Sequence, residues 1–210
     1  LMKLYLHDAF IGLARSLRWS YLPPLMVYLA AGISGLTAIV GTFFVKDYLG
    51  LSAAFLAGLG FWAGLPWALK MPLGHLVDLF WRHKYLFVYL GASVITASLL
   101  MMYGLIAHTE LMSAVMPIEA WYVLSVILAP VGYVLQDVVA DAMTVEAVPA
   151  VEPSGQPIAE SEIKEMHTTM QALGRFAVIG GSLLVALLNV VLFSDVDSFS
   201  LDAKRAVYAS

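Results

Sequence analysis

The chain has 210 residues, of which 61% are hydrophobic and only 12% charged, with a net charge of −4 and no cysteine. A soluble domain carries roughly 25% charged residues, so this chain has too few polar side chains to cover a water-exposed surface. The charge excludes a basic footprint for nucleic acid, and the missing cysteines exclude disulfides and thiolate metal sites. We therefore predict an all-α membrane protein whose main partner is the lipid bilayer.

The first segment, residues 1–19, is predicted to be an amphipathic or pre-membrane segment. Asp8, Arg15 and Arg18 interrupt its apolar residues, so it does not read as a cleavable signal sequence. The favoured interpretation is a helix at the membrane surface, with Lys3, Arg15 and Arg18 facing lipid headgroups. The alternative is that the segment simply continues the first crossing.

Five apolar runs follow, and each is long enough to cross a bilayer, which requires about 20 helical residues. The predicted crossings are residues 20–44, 52–77, 85–107, 119–145 and 166–193. The predicted organisation is transmembrane helices 1–4 in residues 20–148, a loop in 149–165, helix 5 in 166–193 and an extracytoplasmic segment in 194–210. That last segment reads as the approach to a sixth helix, so the bundle is expected to be an incomplete set of six.

Lysine and arginine in the short loops predict the orientation. They precede the first crossing and recur between the second and third, at Arg82 and Lys84, and between the fourth and fifth, at Lys164. On the opposite side, the loops after the first and third crossings contain a single lysine or arginine, Lys46. The N-terminus is therefore predicted to be cytoplasmic. The proline- and glutamate-rich loop 149–165 is predicted to be a flexible cytoplasmic connector.

Lys70, Asp137 and Asp141 are ionisable residues that lie well inside predicted crossings. A charged side chain at mid-membrane depth costs about 2.5–3.5 kcal/mol, so it is normally paired or faces water. Lys70 precedes Asp78 by eight residues, or roughly 12 Å of helix, and Asp137 lies at a similar distance before the end of the fourth crossing. If the second and fourth helices touch, Lys70 can therefore pair with Asp137 or with Asp141.

Asp137 and Asp141 are four residues apart, on one helix face that Tyr133 extends. Keeping two carboxylates this close ionised in a poorly hydrated site costs free energy, because their negative charges repel. One of them should therefore hold a proton unless Lys70 neutralises it. We interpret the group as a candidate proton-coupling and substrate site. The alternative is an ion pair that only fixes helix packing.

Two further side chains each allow more than one interpretation of their role. Trp67 lies one turn before Lys70 and can stack on a flat ring or pack in the core. Arg175 can reach the acidic end of the fourth helix, meet an anionic substrate or extend toward headgroups.

The pattern Gly74-x-Leu76-x-Asp78, followed by Arg82, resembles the cytoplasmic signature of the major facilitator superfamily. That resemblance implies a cytoplasmic gate in which Asp78, Arg82 and a carboxylate on the fourth helix, Glu146, form a charge relay. It also implies that the chain is the N-terminal half of a two-bundle transporter.

Residues 43–52, 65–72 and 137–146 resemble, in order and spacing, the folate–biopterin transporter family. This resemblance implies a secondary active transporter for pterins, folates or other small anionic solutes, coupled to a cation, with the proton expected. The site would comprise Lys70, Asp137, Asp141, Tyr133 and Trp67. The chain also resembles muropeptide permeases, which leaves a second substrate class open.

Catalytic readings find no support in the sequence. The five histidines are spread along the chain without a close ligand pair, and neither a glycine-rich phosphate loop nor a nucleophile elbow is present. We expect no enzyme activity, cofactor or metal. The competing hypothesis is a non-transporting subunit or assembly factor packed in a larger membrane complex. The C-terminal half of the transporter or other membrane subunits are the expected partners, in a bacterial inner or thylakoid-type membrane.

Overall fold

The structure, a computed structural model, describes residues 17–34, 50, 52–152 and 154–193. Over these residues the chain forms helices and no β-strand. We number the α-helices α1 (Leu22–Ile33), α2 (Ala53–Ala68), α3 (Lys70–Leu79), α4 (Lys84–Ala107), α5 (Thr109–Val115), α6 (Ile118–Ala147) and α7 (Glu160–Phe193). Short 3-10 helices at Trp19–Tyr21 and Trp81–His83 precede α1 and α4. The chain is therefore an all-α membrane protein.

Three stretches in the described part of the chain are helical, long and apolar enough to cross a membrane: Trp81–Ala107, Ile118–Ala147 and Glu160–Val191. They correspond to the predicted third, fourth and fifth crossings. The predicted first crossing is described only as far as residue 34. Most of segment 1–19 and all of segment 194–210 lie outside the described residues, so their predicted roles remain predictions.

The predicted second crossing, residues 52–77, is divided in two at Leu69. Pro72 has no N–H, so it cannot donate to the carbonyl of Ala68, where an unbroken α-helix would place a hydrogen bond. Leu69 N–H instead donates to the carbonyl of Pro66 at 3.1 Å, which closes a tighter turn. Regular helix then resumes with Lys70 as its first residue. The break lies immediately before the one lysine of this crossing.

Helix α6 is at the centre of the bundle and packs against α1, α2, α3 and α4. Its contact with α4 is close because two glycines face each other: a β-carbon on Gly91 would lie 2.8 Å from the carbonyl oxygen of Gly132. Further along, Ser98 Oγ donates to the Ser125 carbonyl oxygen at 2.8 Å, and Ser125 Oγ donates to the Ser98 carbonyl oxygen at 3.1 Å. Small residues and paired hydroxyls are the usual means of joining helices in lipid, where apolar burial provides little drive.

Helices α1 and α7 meet through a second glycine contact. A β-carbon on Gly181 would lie 2.4 Å from the carbonyl oxygen of Leu29, and one on Gly32 would lie 2.1 Å from that of Val178. No side chain fits between these backbones. The contact holds α1 and α7 side by side along one flank of α6.

The segment between α6 and α7 is shorter than the predicted loop 149–165, because α7 begins at Glu160. Val151 and Pro157 form an isolated antiparallel bridge, and Gly155 turns the chain with a φ of 87°. Such a φ lies in the left-handed region that glycine adopts without a steric cost. The connection is thus a compact turn leading straight into a continuous helix.

Candidate functional site

Lys70 lies between two carboxylates of α6. Its Nζ is 2.5 Å from Asp137 Oδ2 and 2.8 Å from Asp141 Oδ2. The spacing of these residues predicted a pair with one aspartate, and the structure pairs Lys70 with both. Asp137 is the most sheltered member, with 13% of its side chain exposed, against 38% for Lys70 and 46% for Asp141. The cluster therefore has a sheltered inner carboxylate and an accessible outer one.

Tyr28 of α1 completes the coordination of Asp141. Its hydroxyl donates a hydrogen bond to Asp141 Oδ1 with an O···O distance of 2.5 Å, while Oδ2 of the same carboxylate faces Lys70. The ring of Tyr28 lies against Gly174 of α7, where a β-carbon would come within 2.9 Å of two ring atoms. Three helices, α1, α3 and α6, thus meet at one carboxylate, and a glycine of α7 makes room for the tyrosine.

A cavity of about 770 Å³ opens beside this cluster. It lies between α1, α3, α6 and α7, and its lining residues are Tyr28, Lys70, Asp137, Asp141, Thr144, Val145, Gln171, Gly174, Arg175, Val178 and Ile179. Ligand sites of proteins commonly have volumes of about 300–1,000 Å³, with apolar walls and a few convergent polar groups. This cavity has the size and the mixture of groups for a small organic solute.

A second cavity, of about 720 Å³, lies between α2, α3 and α6. Trp67, Gly74 and Asp78 line it, together with Lys70 and Asp141. The Lys70–Asp141 ion pair is therefore part of the wall of both cavities. Trp67 is about half exposed here and is within the same cavity as Lys70, as stacking on a bound ring would require.

The remaining predicted residues fall into two groups. Tyr133 lies one turn before Asp137 on α6 and lines neither of these two cavities. Among the described residues, no ion pair joins Arg82 to Asp78 or to Glu146. Glu146 instead binds Lys84.

The Lys84–Glu146 contact links the start of α4 to the end of α6. The Lys84 ammonium also lies 4.0 Å from the centre of the Trp81 ring. A cation between a carboxylate and an aromatic face is held by both charge and ring quadrupole. The structure thus places Lys84, rather than Arg82, against Glu146 at the end of α6.

Sequence reasoning missed Tyr28 and Lys84. Tyr28 lies in an apolar run with another tyrosine nearby, and nothing in that run distinguishes it. Lys84 was noted only as a positive charge in a loop. Gln171 also lines the first cavity. The sequence indicated this only weakly, through its position four residues before Arg175 and thus on the same helix face.

Within the described part of the chain, no group of three or more histidine, aspartate or glutamate side chains is arranged to hold a metal ion. What the site offers chemically is one ammonium, two carboxylates, a guanidinium and several neutral hydrogen-bonding groups around a cavity. Such a set can bind and release protons and polar solutes.

Comparison with known proteins gives one local similarity. A stretch of 60 residues, 29% of this chain, is 40% identical to a protein named "Folate-biopterin transporter" from Synechocystis sp.. The matched stretch covers 12% of the length of that relative. No family model and no solved structure matches the chain. The similarity is thus to part of a transporter, and the membrane helices described above agree with it.

Proposed function

We propose that this chain is the N-terminal half of a secondary active transporter of the major facilitator type. The observation that carries the proposal is Lys70 held between Asp137 and Asp141 in the wall of a cavity of about 770 Å³. Charged groups within membrane helices are costly, and they usually mark a solute or ion pathway. Three of them, brought together from two helices beside a cavity, favour such a pathway over a purely structural pair.

The proposed substrates are pterin- or folate-like compounds or other small anionic solutes. The local similarity to a folate-biopterin transporter supports this class. A carboxylate can accept two parallel N–H bonds from the edge of a pterin ring, and Asp137 and Asp141 are the carboxylates of the cavity. Trp67 would stack on the ring, and Tyr133 extends the same helix face. A muropeptide-type solute is the alternative substrate class.

Proton coupling would act through the ion pair shared by the two cavities. When Asp141 takes up a proton it loses its negative charge, so Lys70 keeps only Asp137 as an ionic partner. The wall between the cavities is then weakened at that point. Binding of a proton and movement of a solute past Lys70 would thereby be linked in one conformational step.

The proposed cytoplasmic gate consists of Gly74, Asp78, Arg82 and Glu146, and the Lys84–Glu146 contact leads us to add Lys84. Asp78 and Gly74 line the second cavity, which extends from the ion pair toward this end of α3. We further propose a cytoplasmic N-terminus, a cytoplasmic segment at 149–165 and residence in a bacterial inner or thylakoid-type membrane. The C-terminal half would cover the open side of the first cavity.

Uptake by membrane vesicles that contain the protein together with the proposed C-terminal half tests the proposal. Tritiated folic acid and tritiated biopterin are supplied with and without an inward proton gradient. We expect uptake that rises with the gradient and is lost in Lys70→Ala, Asp137→Asn and Asp141→Asn. Lys164→Ala, at an exposed lysine near the start of α7, is the matched control. Folded yield is measured for each variant by size-exclusion chromatography.

Gradient-dependent uptake that persists in well-folded Lys70 and aspartate variants would reject the proposed site. No uptake of either compound, together with stable co-purification of other membrane subunits, would instead support the competing hypothesis of a non-transporting subunit. A transporter role also agrees with the absence of any catalytic motif in the sequence.

A further inference from the structure

The ammonium of Lys70 already has two ionic partners. It faces carboxylate oxygens of Asp137 at 2.5 Å and Asp141 at 2.8 Å, and the three groups carry a formal net charge of −1 when ionised. A solute carboxylate that approached Lys70 would therefore meet two negative neighbours. In this arrangement Lys70 does not provide an anion site.

Arg175 is the other cation of the first cavity. Among the residues that the structure describes, none with a carboxylate lies within ion-pair distance of it. It follows Glu160, the first residue of α7, by fifteen residues, and Met166, where the predicted fifth crossing begins, by nine residues, or about 14 Å.

The surroundings of Arg175 suit a carboxylate. Gln171 precedes it by four residues and lines the same cavity, so its amide can donate a hydrogen bond beside the guanidinium. A guanidinium presents two parallel N–H groups that match the two oxygens of a carboxylate. Val178 and Ile179 provide apolar wall further along the same helix.

We propose that Arg175, assisted by Gln171, is the anion subsite of this cavity and binds a carboxylate of the solute. The inference rests on the proposed function, because it assigns the solute to the same cavity. The cavity then has two ends of different chemistry: the carboxylates of Asp137 and Asp141, held by Lys70, accept hydrogen bonds from donors of the solute, whereas Arg175 and Gln171 recognise an organic carboxylate. A solute with both a ring edge of N–H groups and a carboxylate would use both ends.

Folic acid and biopterin provide a matched pair of probes, because both have a pterin ring but only folic acid has carboxylates. Equilibrium binding of each tritiated compound is measured on the whole chain in lipid nanodiscs. Arg175→Met should weaken folic acid binding by about tenfold or more and leave biopterin binding within about twofold. Arg175→Lys should lie between, since it keeps the charge and loses the fork. Lys164→Met is the control for removing a positive charge from α7.

The outcomes separate this inference from the function on which it rests. Unchanged folic acid binding by Arg175→Met, or binding of biopterin but not folic acid by the unmodified chain, overturns the anion subsite and leaves a pterin site standing. Binding of neither compound overturns the proposed substrate class and the subsite with it. If Arg175→Met does not fold, as judged by its melting temperature, Arg175→Lys decides: folic acid affinity equal to that of the unmodified chain rejects the proposal.

Discussion

The hydroxyl of Tyr28 and the carboxylate of Asp141 are joined by a hydrogen bond of 2.5 Å across 113 residues of chain. The second oxygen of the same carboxylate faces Lys70 at 2.8 Å. Asp141 is thus bound on one side by a neutral donor from α1 and on the other by a cation from α3. Substitution of Tyr28 or Lys70 should therefore change both the environment of Asp141 and the stability of the bundle.

Tyr28→Phe removes the hydroxyl and leaves Asp141 Oδ1 without this donor. Hydrogen bonds to charged groups contribute about 1.5–3 kcal/mol, and we expect a loss near 1.5 kcal/mol because Asp141 is nearly half exposed. The measurement is the melting temperature of the purified protein in detergent. Tyr89→Phe, at an exposed tyrosine on α4, is the control. Equal melting temperatures for the two variants would contradict the prediction.

Lys70→Met leaves two carboxylates without their shared cation. An exposed ion pair contributes about 1 kcal/mol to stability, and breaking a buried ion pair costs about 3–5 kcal/mol. We expect the loss of stability in Lys70→Met to lie between these two values. Adding Asp137→Asn and Asp141→Asn in the same background should recover part of the loss, because the uncompensated charges disappear. Denaturation in detergent measures all variants. A triple variant less stable than Lys70→Met would show that charge balance is not what Lys70 provides.

Gly174→Ala should displace Tyr28, because its new β-carbon would lie 2.9 Å from two atoms of the ring. Ring displacement lengthens the hydrogen bond to Asp141, so we expect loss of stability similar to that of Tyr28→Phe. Gly180→Ala on the same helix is the matched control, since a β-carbon there meets nothing within 4 Å. Alanine is the better helix former, so the control should be neutral or slightly stabilised. Identical melting temperatures for both variants would refute the assignment.

Lys84→Met should lower stability more than Arg82→Met. Lys84 binds Glu146 and lies over the Trp81 ring, which together are expected to contribute about 1–2 kcal/mol. Arg82 is exposed, and removing its charge should change stability by about 0.5 kcal/mol or less. A double-mutant cycle with Glu146→Gln measures the coupling directly. Coupling of Glu146 to Arg82 rather than to Lys84 would restore the gate that the sequence pattern predicted.

The sequence by itself determined the class of the protein, and it predicted that two of its charges lie at a common depth. Too few polar residues for a water-exposed surface predicted a membrane protein of helices. Because every residue of a helix advances by the same 1.5 Å, counting from Asp78 and Glu146 was enough to predict that Lys70 and Asp137 lie at similar depth.

Only the tertiary structure decided how the helices are rotated and which side chains consequently meet. The rotation of a helix depends on the shape of every contact it makes, such as the close approach of Gly32 and Gly181. It therefore cannot be obtained by counting residues along the chain. For this reason Tyr28 was not foreseen as a partner of Asp141, nor Lys84 as the partner of Glu146. Position along a helix is local and additive, whereas the direction in which a side chain faces is set by the packing of the whole bundle.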